Sequence, residues 1–167
     1  MFNDILLLLV LLICIITDIK FRKIYNGVLI PALFLGLLVN LASDGLSGLF
    51  FGLKGFLLGL GFLIIPFIMG GIGGGDVKLL ATIGAVKGPQ FVFYTFLGMG
   101  LTGGILAIGI LIYQGKLIKT LKELGNGLML FFATRFKTIT FGGNNDENLF
   151  PYGVAITLGA LAAYVMG

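Results

Sequence analysis

Two aspartates in an otherwise apolar chain are the residues best placed to do chemistry. Asp18 follows an apolar run from Ile5 to Ile16, and Asp76 follows Gly70-Gly-Ile-Gly-Gly-Gly75, five glycines in six residues. The remaining composition excludes most other hydrolytic machinery. There is no His, one Cys (Cys14), and only two Ser, Ser43 and Ser47. Without His, neither a Ser/His nor a Cys/His nucleophile can be assembled, and an HExxH zinc site is excluded. A lone Cys supports neither a disulfide framework nor a Cys-rich metal cluster within the chain. Two carboxylates suffice to activate water. When close, they share one proton: the ionised one takes a proton from water, and the protonated one polarises the peptide carbonyl and later helps protonate the leaving amine. Such a pair titrates as a unit and calls for no metal or organic cofactor, so none is expected.

The elements that must position these groups follow from composition. The chain is 58% hydrophobic and 11% charged, with 28 glycines in 167 residues. Soluble domains carry about a quarter charged residues. We expect an all-α, polytopic membrane protein with about six transmembrane helices, forming one domain over residues 1–167. The first apolar stretch has Asp4 before it and basic residues behind it, the reverse of a signal peptide, and reads as a retained span. A second span covers about 27–42 and is broken at Ser43-Asp-Gly45. A third covers about 46–69. After the glycine run a helix starts at Asp76 and continues to about Val86, where Lys87-Gly-Pro89 stops it. Further spans are expected over about 91–113 and 150–166. Between them, residues 114–148 form the one long polar stretch, amphipathic around Lys116, Lys119 and Lys122, as a cytoplasmic surface helix would be.

Six spans force alternate loops onto one side, and nine of the eleven Lys and Arg fall on the loops that then share a face. The positive-inside rule makes that face cytoplasmic, and it carries both Asp18 and Asp76. A carboxylate at the centre of a membrane helix costs roughly 2.5–3.5 kcal/mol on insertion scales. The first apolar stretch covers only ~20 Å of a ~30 Å core. Either the helices continue past the aspartates, or both acids lie below the headgroups with water reaching them through a cavity. The glycine run fits the second arrangement. Non-helical backbone at that depth must be covered by protein or water, and glycine lets an extended substrate approach closely. Taken singly, Asp18 reads as a solvated span-end charge and Asp76 as a plain helix cap. Their shared face, the glycine approach and the missing alternatives favour chemistry.

Gly73-Gly-Gly75-Asp76 fits the GxGD pattern of intramembrane aspartyl proteases. Asp18-Ile-Lys-Phe-Arg-Lys-Ile-Tyr-Asn26 resembles the first-aspartate segment of type IV prepilin peptidases, and Gly74-Gly-Asp-Val-Lys-Leu79 and the late Pro151-Tyr-Gly153 opening the last span are also similar to segments of that family. The resemblance covers most of the chain in the same order. It implies an inner-membrane endopeptidase that removes the basic leader of prepilin-like proteins at the cytoplasmic face. On that footing Asp18 and Asp76 are the catalytic pair, with Gly73 and Gly75 supporting. The implied partners are a prepilin-like substrate and membrane lipid, with no nucleic acid. Larger members carry an insertion with paired CxxC motifs, associated with N-methylation. Here a short loop, Lys20–Asn26, joins the first two spans and Cys14 stands alone, so a compact protease-only form is expected and methylation is unsupported.

Lesser candidates have plainer readings. Gly74 and Lys78 are candidate substrate contacts. However, Lys20 and Lys78 each lie two residues past an aspartate, hence off its helix face, and snorkelling to the headgroups is the stronger expectation. Gly98, Gly100, Gly103 and Gly104 are expected to let helices pack closely. Asp146 and Glu147 read as solvated. The competing class is a transporter using the two carboxylates for a cation or proton, which would conduct ions and cleave no peptide. The aspartate segments show no inverted repeat in its favour.

Overall fold

A computed structural model describes residues 2–21, 23–113, 115 and 152–166. The expected amphipathic stretch over 114–148 lies outside the described residues except for Gly115, as do Arg22, Pro151, Asp146 and Glu147. Among the described residues the fold is all-α, with four helices: α1 (Phe2–Phe21), α2 (Asn26–Ile68), α3 (Gly74–Tyr113) and α4 (Tyr152–Met166). Of these, α1 and α2 are long and apolar enough to cross a membrane by length and composition. Outward faces carry exposed Leu, Ile and Phe along their whole length, such as Leu8, Leu12, Phe34, Leu38 and Leu57.

Two of the helices double back. Gly45 (φ 62°, ψ −144°) interrupts α2 and Gly88 (φ 84°, ψ −177°) interrupts α3. Both sit at the breaks expected from Ser43-Asp-Gly45 and Lys87-Gly-Pro89, where glycine accepts a positive φ and Pro89 cannot continue the helical ladder. The contacts show the reversal. A Cβ on Gly52 would lie 2.8 Å from Leu37 Cδ2 and 3.1 Å from Asn40 Nδ2, so the two halves of α2 run side by side. In the next layer Gly55 faces Gly84, and Gly59 faces Leu80 and Ala81. By that register Phe62 stands level with the start of α3, yet it stacks on Phe96 at 4.6 Å. The chain after Gly88 has therefore come back along the bundle.

The first half of α3 is the axis of the molecule. Every residue from Leu79 to Val86 is buried, as befits a helix that is hydrophobic all round. Against it α2 presents Gly52, Gly55 and Gly59, one helical stripe of small residues that lets the two backbones touch. Helix α1 contributes the stripe Leu7, Val10, Leu11, Cys14 and Asp18. Helix α4 meets the second half of α3 where Gly98 and Gly159 abut, a Cβ on Gly98 falling 2.9 Å from the Gly159 Cα. Close packing does not extend to the other glycines expected to provide it. Gly103 has room for a Cβ 3.6 Å from that of Ala155, and Gly100 and Gly104 face open space, because they lie away from the α4 contact.

Breaking α3 at Gly88 strands backbone carbonyls, and an unsatisfied buried acceptor costs roughly 1–3 kcal/mol. Asn40, itself buried, answers this by donating from Nδ2 to the carbonyls of Ala85 (2.9 Å) and Val86 (3.4 Å). Asn3 donates in turn to Asn40 Oδ1 at 2.8 Å. Beside them Lys87 pairs with Asp4 and lies over the rings of Tyr164 (4.8 Å) and Phe91 (5.4 Å). This polar cluster ties α1, α2, α3 and α4 together at one end of the bundle. The aspartates lie at the other.

Candidate active site

Helix α1 continues three residues beyond Asp18, to Phe21. Asp18 follows Cys14 by four residues, so it extends the buried stripe of α1 inward instead of facing outward, and it is only 6% exposed. That placement removes the reading of a solvated span-end charge. After α1, the chain crosses through non-helical residues 23–25, and Tyr25 (φ −84°, ψ 128°, extended) precedes α2 without a side-chain cap.

Asp76 arrives from the opposite direction. After α2 the chain leaves the helix through Gly70 (φ 77°), where positive φ requires glycine. Helix α3 then begins at Gly74, two residues earlier than the sequence suggests. Asp76 occupies the third helical position, and its backbone N–H donates to the Gly73 carbonyl at 3.1 Å. Its carboxylate folds back over Gly73, whose amide faces it, so a Cβ there would sit 3.1 Å from Oδ2. This is half of a capping box, with the acidic third residue reaching back to the residue before the helix. Asp76 is 9% exposed. A side chain at position 73 would press on Asp76 Oδ2, and a Cβ at Gly75 would be similarly tight, 3.0 Å from that of Ile24.

Asp18 and Asp76 open into one cavity of about 340 Å³, which Lys23, Ile24, Tyr25, Asn26, Gly73 and Gly75 also line. The charge of Asp18 reaches Asp76. The cavity wall is thus two buried carboxylates, two bare glycine backbones and the non-helical 23–25 segment. That combination can hold a water between acids and an extended peptide against backbone. Of the other sequence candidates, Gly74 does not line the cavity and faces the Phe67 ring, 3.3 Å from where its Cβ would be. Lys78 points outward, and its Nζ donates to Asn26 Oδ1 at 3.1 Å, so it reaches the cavity only through Asn26.

Sequence reasoning gave no role to the start of α4. Gly153 is buried directly against Asp18: a Cβ on it would lie 2.6 Å from Oδ2 and 2.9 Å from Cγ. The amides of Gly153 and Val154 face that carboxylate. Even so, Oδ2 itself is aligned with no hydrogen-bond partner among the described residues. Pro151-Tyr-Gly153 signalled a helix start; nothing in its spacing says which acid it meets.

The sequence profile of the type IV leader peptidase family matches residues 5–108, a stretch that takes in Asp18, the glycine loop and Asp76. The chain is also similar to a prepilin leader peptidase/N-methyltransferase of Bacillus subtilis (strain 168), at 33% identity over 124 residues. That alignment covers 71% of this chain and 48% of the relative, so the chain spans about half the length of the curated protein it matches. No solved structure matches it.

Proposed function

Because the chain belongs to the type IV leader peptidase family, we propose that it is an intramembrane aspartyl endopeptidase that removes the N-terminal leader of prepilin-like proteins. The observation that carries the proposal is the single cavity shared by Asp18 and Asp76, which come from sequence-distant helices and are both buried. Buried carboxylates in a membrane protein are expensive and are retained at sites of function.

In the proposed reaction one aspartate is ionised and the other protonated, as two carboxylates at one site require. The ionised group takes a proton from a water lying between them, and the oxygen attacks the scissile carbonyl. The protonated group donates a hydrogen bond to that carbonyl. It then passes its proton toward the departing amine as the tetrahedral intermediate collapses. Gly73, Gly75 and the non-helical 23–25 segment offer the leader peptide a backbone surface.

The membrane arrangement supports this reading. The 43 residues of α2 would be about 65 Å long if straight, twice a bilayer core, so the fold-back at Gly45 makes two crossings of it. Gly88 does the same for α3, and with α1 and α4 that gives six spans. Lys20, Lys23 and Lys78 then cluster at the aspartate end, which the positive-inside rule assigns to the cytoplasm of an inner-membrane protein. The buried half of α3, residues 74–87, is only ~21 Å long, so Asp76 at its start lies below the headgroup level and water enters through the cavity.

The test uses Asp18→Asn and Asp76→Asn in membranes with a leader-bearing prepilin. Each substitution is expected to lower cleavage by at least about 10²–10⁴-fold. Cleavage by either variant at the unaltered rate would sink the mechanism.

A further inference from the structure

The start of α4 stands against the Asp18 carboxylate, and Gly153 is the point of contact. Gly153 is buried, and its missing Cβ is what lets the carboxylate reach the backbone: the nearest atoms to that Cβ would be Asp18 Oδ2 (2.6 Å), Cγ (2.9 Å) and Cβ (3.2 Å). No backbone atom is among them. The amides of Gly153 and Val154 point at the same group, where a helix N-terminus favours negative charge. A second observation fits the same picture: Asp18 is buried, and its Oδ2 has no aligned hydrogen-bond partner among the described residues. The carboxylate is therefore held by shape and by the helix end, and one oxygen remains available. The neighbouring Tyr152 lies within reach of the Asp76 charge, so the first turn of α4 meets Asp18 and stands near Asp76.

We propose that Gly153 is a positioning residue for catalysis, its bare backbone seating the Asp18 carboxylate at the N-terminus of α4 so that the group faces the water shared with Asp76. This rests on the aspartyl protease reading. The geometry predicts how a substitution acts. A methyl at position 153 has Asp18 Oδ2, Cγ and Cβ as its three nearest neighbours, so the carboxylate turns away and α1 gives by only a few tenths of an ångström at the Asp18 Cβ. At Gly159, six residues further along α4, a Cβ would instead lie 2.6 Å from the Thr95 carbonyl oxygen and the fold itself would have to yield.

The experiment is Gly153→Ala in the full chain, in membranes, with a leader-bearing prepilin as substrate and Asp18→Asn alongside. We expect kcat to fall by at least about tenfold, since about 1 Å of misplacement at a reacting group can cost 10²-fold. KM should change by less than about twofold, because the backbone surface that holds the peptide is untouched. The acid limb of the pH–kcat profile should move, because the carboxylate exchanges helix amides for a different setting; a purely structural lesion would scale the profile without displacing it. Gly153→Ala with an unaltered kcat and pH profile, beside an inactive Asp18→Asn, overturns the positioning role and leaves the protease reading standing. An active Asp18→Asn defeats that reading itself. If Gly153→Ala does not fold, Asp18→Ala/Gly153→Ala decides. Recovery of folded protein supports direct contact between the two positions, and continued failure overturns it.

Discussion

Glycine builds two regions of this molecule for opposite reasons. Along the seam between α2 and α3, a side chain on Gly55 would strike the carbonyl of Gly84, one on Gly84 would strike that of Gly55, and one on Gly59 would meet Leu80 O at 2.6 Å. At the aspartate end, side chains on Gly73, Gly75 and Gly153 would meet Asp76 Oδ2, Ile24 Cβ and Asp18 Oδ2. In the seam backbone meets backbone, so glycine fixes how closely helices approach and hence the fold. At the cavity backbone meets side chain, so glycine fixes where chemical groups sit. The first region should be sensitive in stability and the second in rate.

The widest separation of those two readouts is expected at the aspartates. Asp76→Asn removes the acid but keeps its shape over Gly73, so the large loss of cleavage should come with a thermal midpoint equal to or above that of the parent protein. A midpoint several degrees lower would mean that the carboxylate also holds the structure, and the division between the regions would fail. Next in size is Gly55→Ala. Its added methyl has only backbone to displace, and overpacking of this kind costs typically about 1–3 kcal/mol, occasionally more. Less folded protein is expected in detergent, with kcat per folded molecule unchanged. A stable Gly55→Ala with impaired kcat would show that the seam reports to the cavity.

The sequence made the two aspartates legible because so little else in it can do chemistry, and the breaks at Gly45 and Gly88 because Ser43-Asp-Gly45 and Lys87-Gly-Pro89 are strong punctuation. The seam was harder to see. Gly52, Gly55 and Gly59 lie at helical spacing, but 28 glycines in the chain blur any single stripe. The stripe identified instead, around Gly98 to Gly104, makes close contact only at Gly98. Asp18 was legible as an acid but ambiguous in direction, although its four-residue step from Cys14 along the buried face of α1 would have settled it. The meeting of α4 with Asp18 was not legible, since a contact across 135 residues leaves no local pattern. The same holds for Asn40 and the stranded carbonyls of α3.

At the end remote from the cavity, a substitution should affect stability alone. Lys87→Met removes the ion pair with Asp4 and the cation lying over Tyr164 and Phe91. Lys87 is 21% exposed and Asp4 36%, so water and headgroups screen the pair, and a loss of about 1 kcal/mol is expected. Thermal unfolding should register it while KM and kcat stay level. A changed kcat would place this cluster in communication with the aspartates across the length of the bundle.

The smallest effect tests the boundary between the regions, where Asn26 lines the cavity and also accepts a hydrogen bond from Lys78. Both side chains are exposed, so the bond between them adds little to stability, and unfolding of Asn26→Ala should be unchanged. Two roles for Asn26 remain distinguishable. If Lys78 only holds Asn26 in orientation toward the peptide, Lys78→Met and Asn26→Ala should raise KM alike, by about two- to threefold, the equivalent of about half a kcal/mol. If Asn26 touches the substrate directly and Lys78 merely reaches for the headgroups, Asn26→Ala alone should move KM. Because the hydrogen bond joins the start of α2 to the start of α3, equal effects in the two variants would extend the cavity's positioning role outward by one side chain. Unequal effects would stop it at the residues that line the wall.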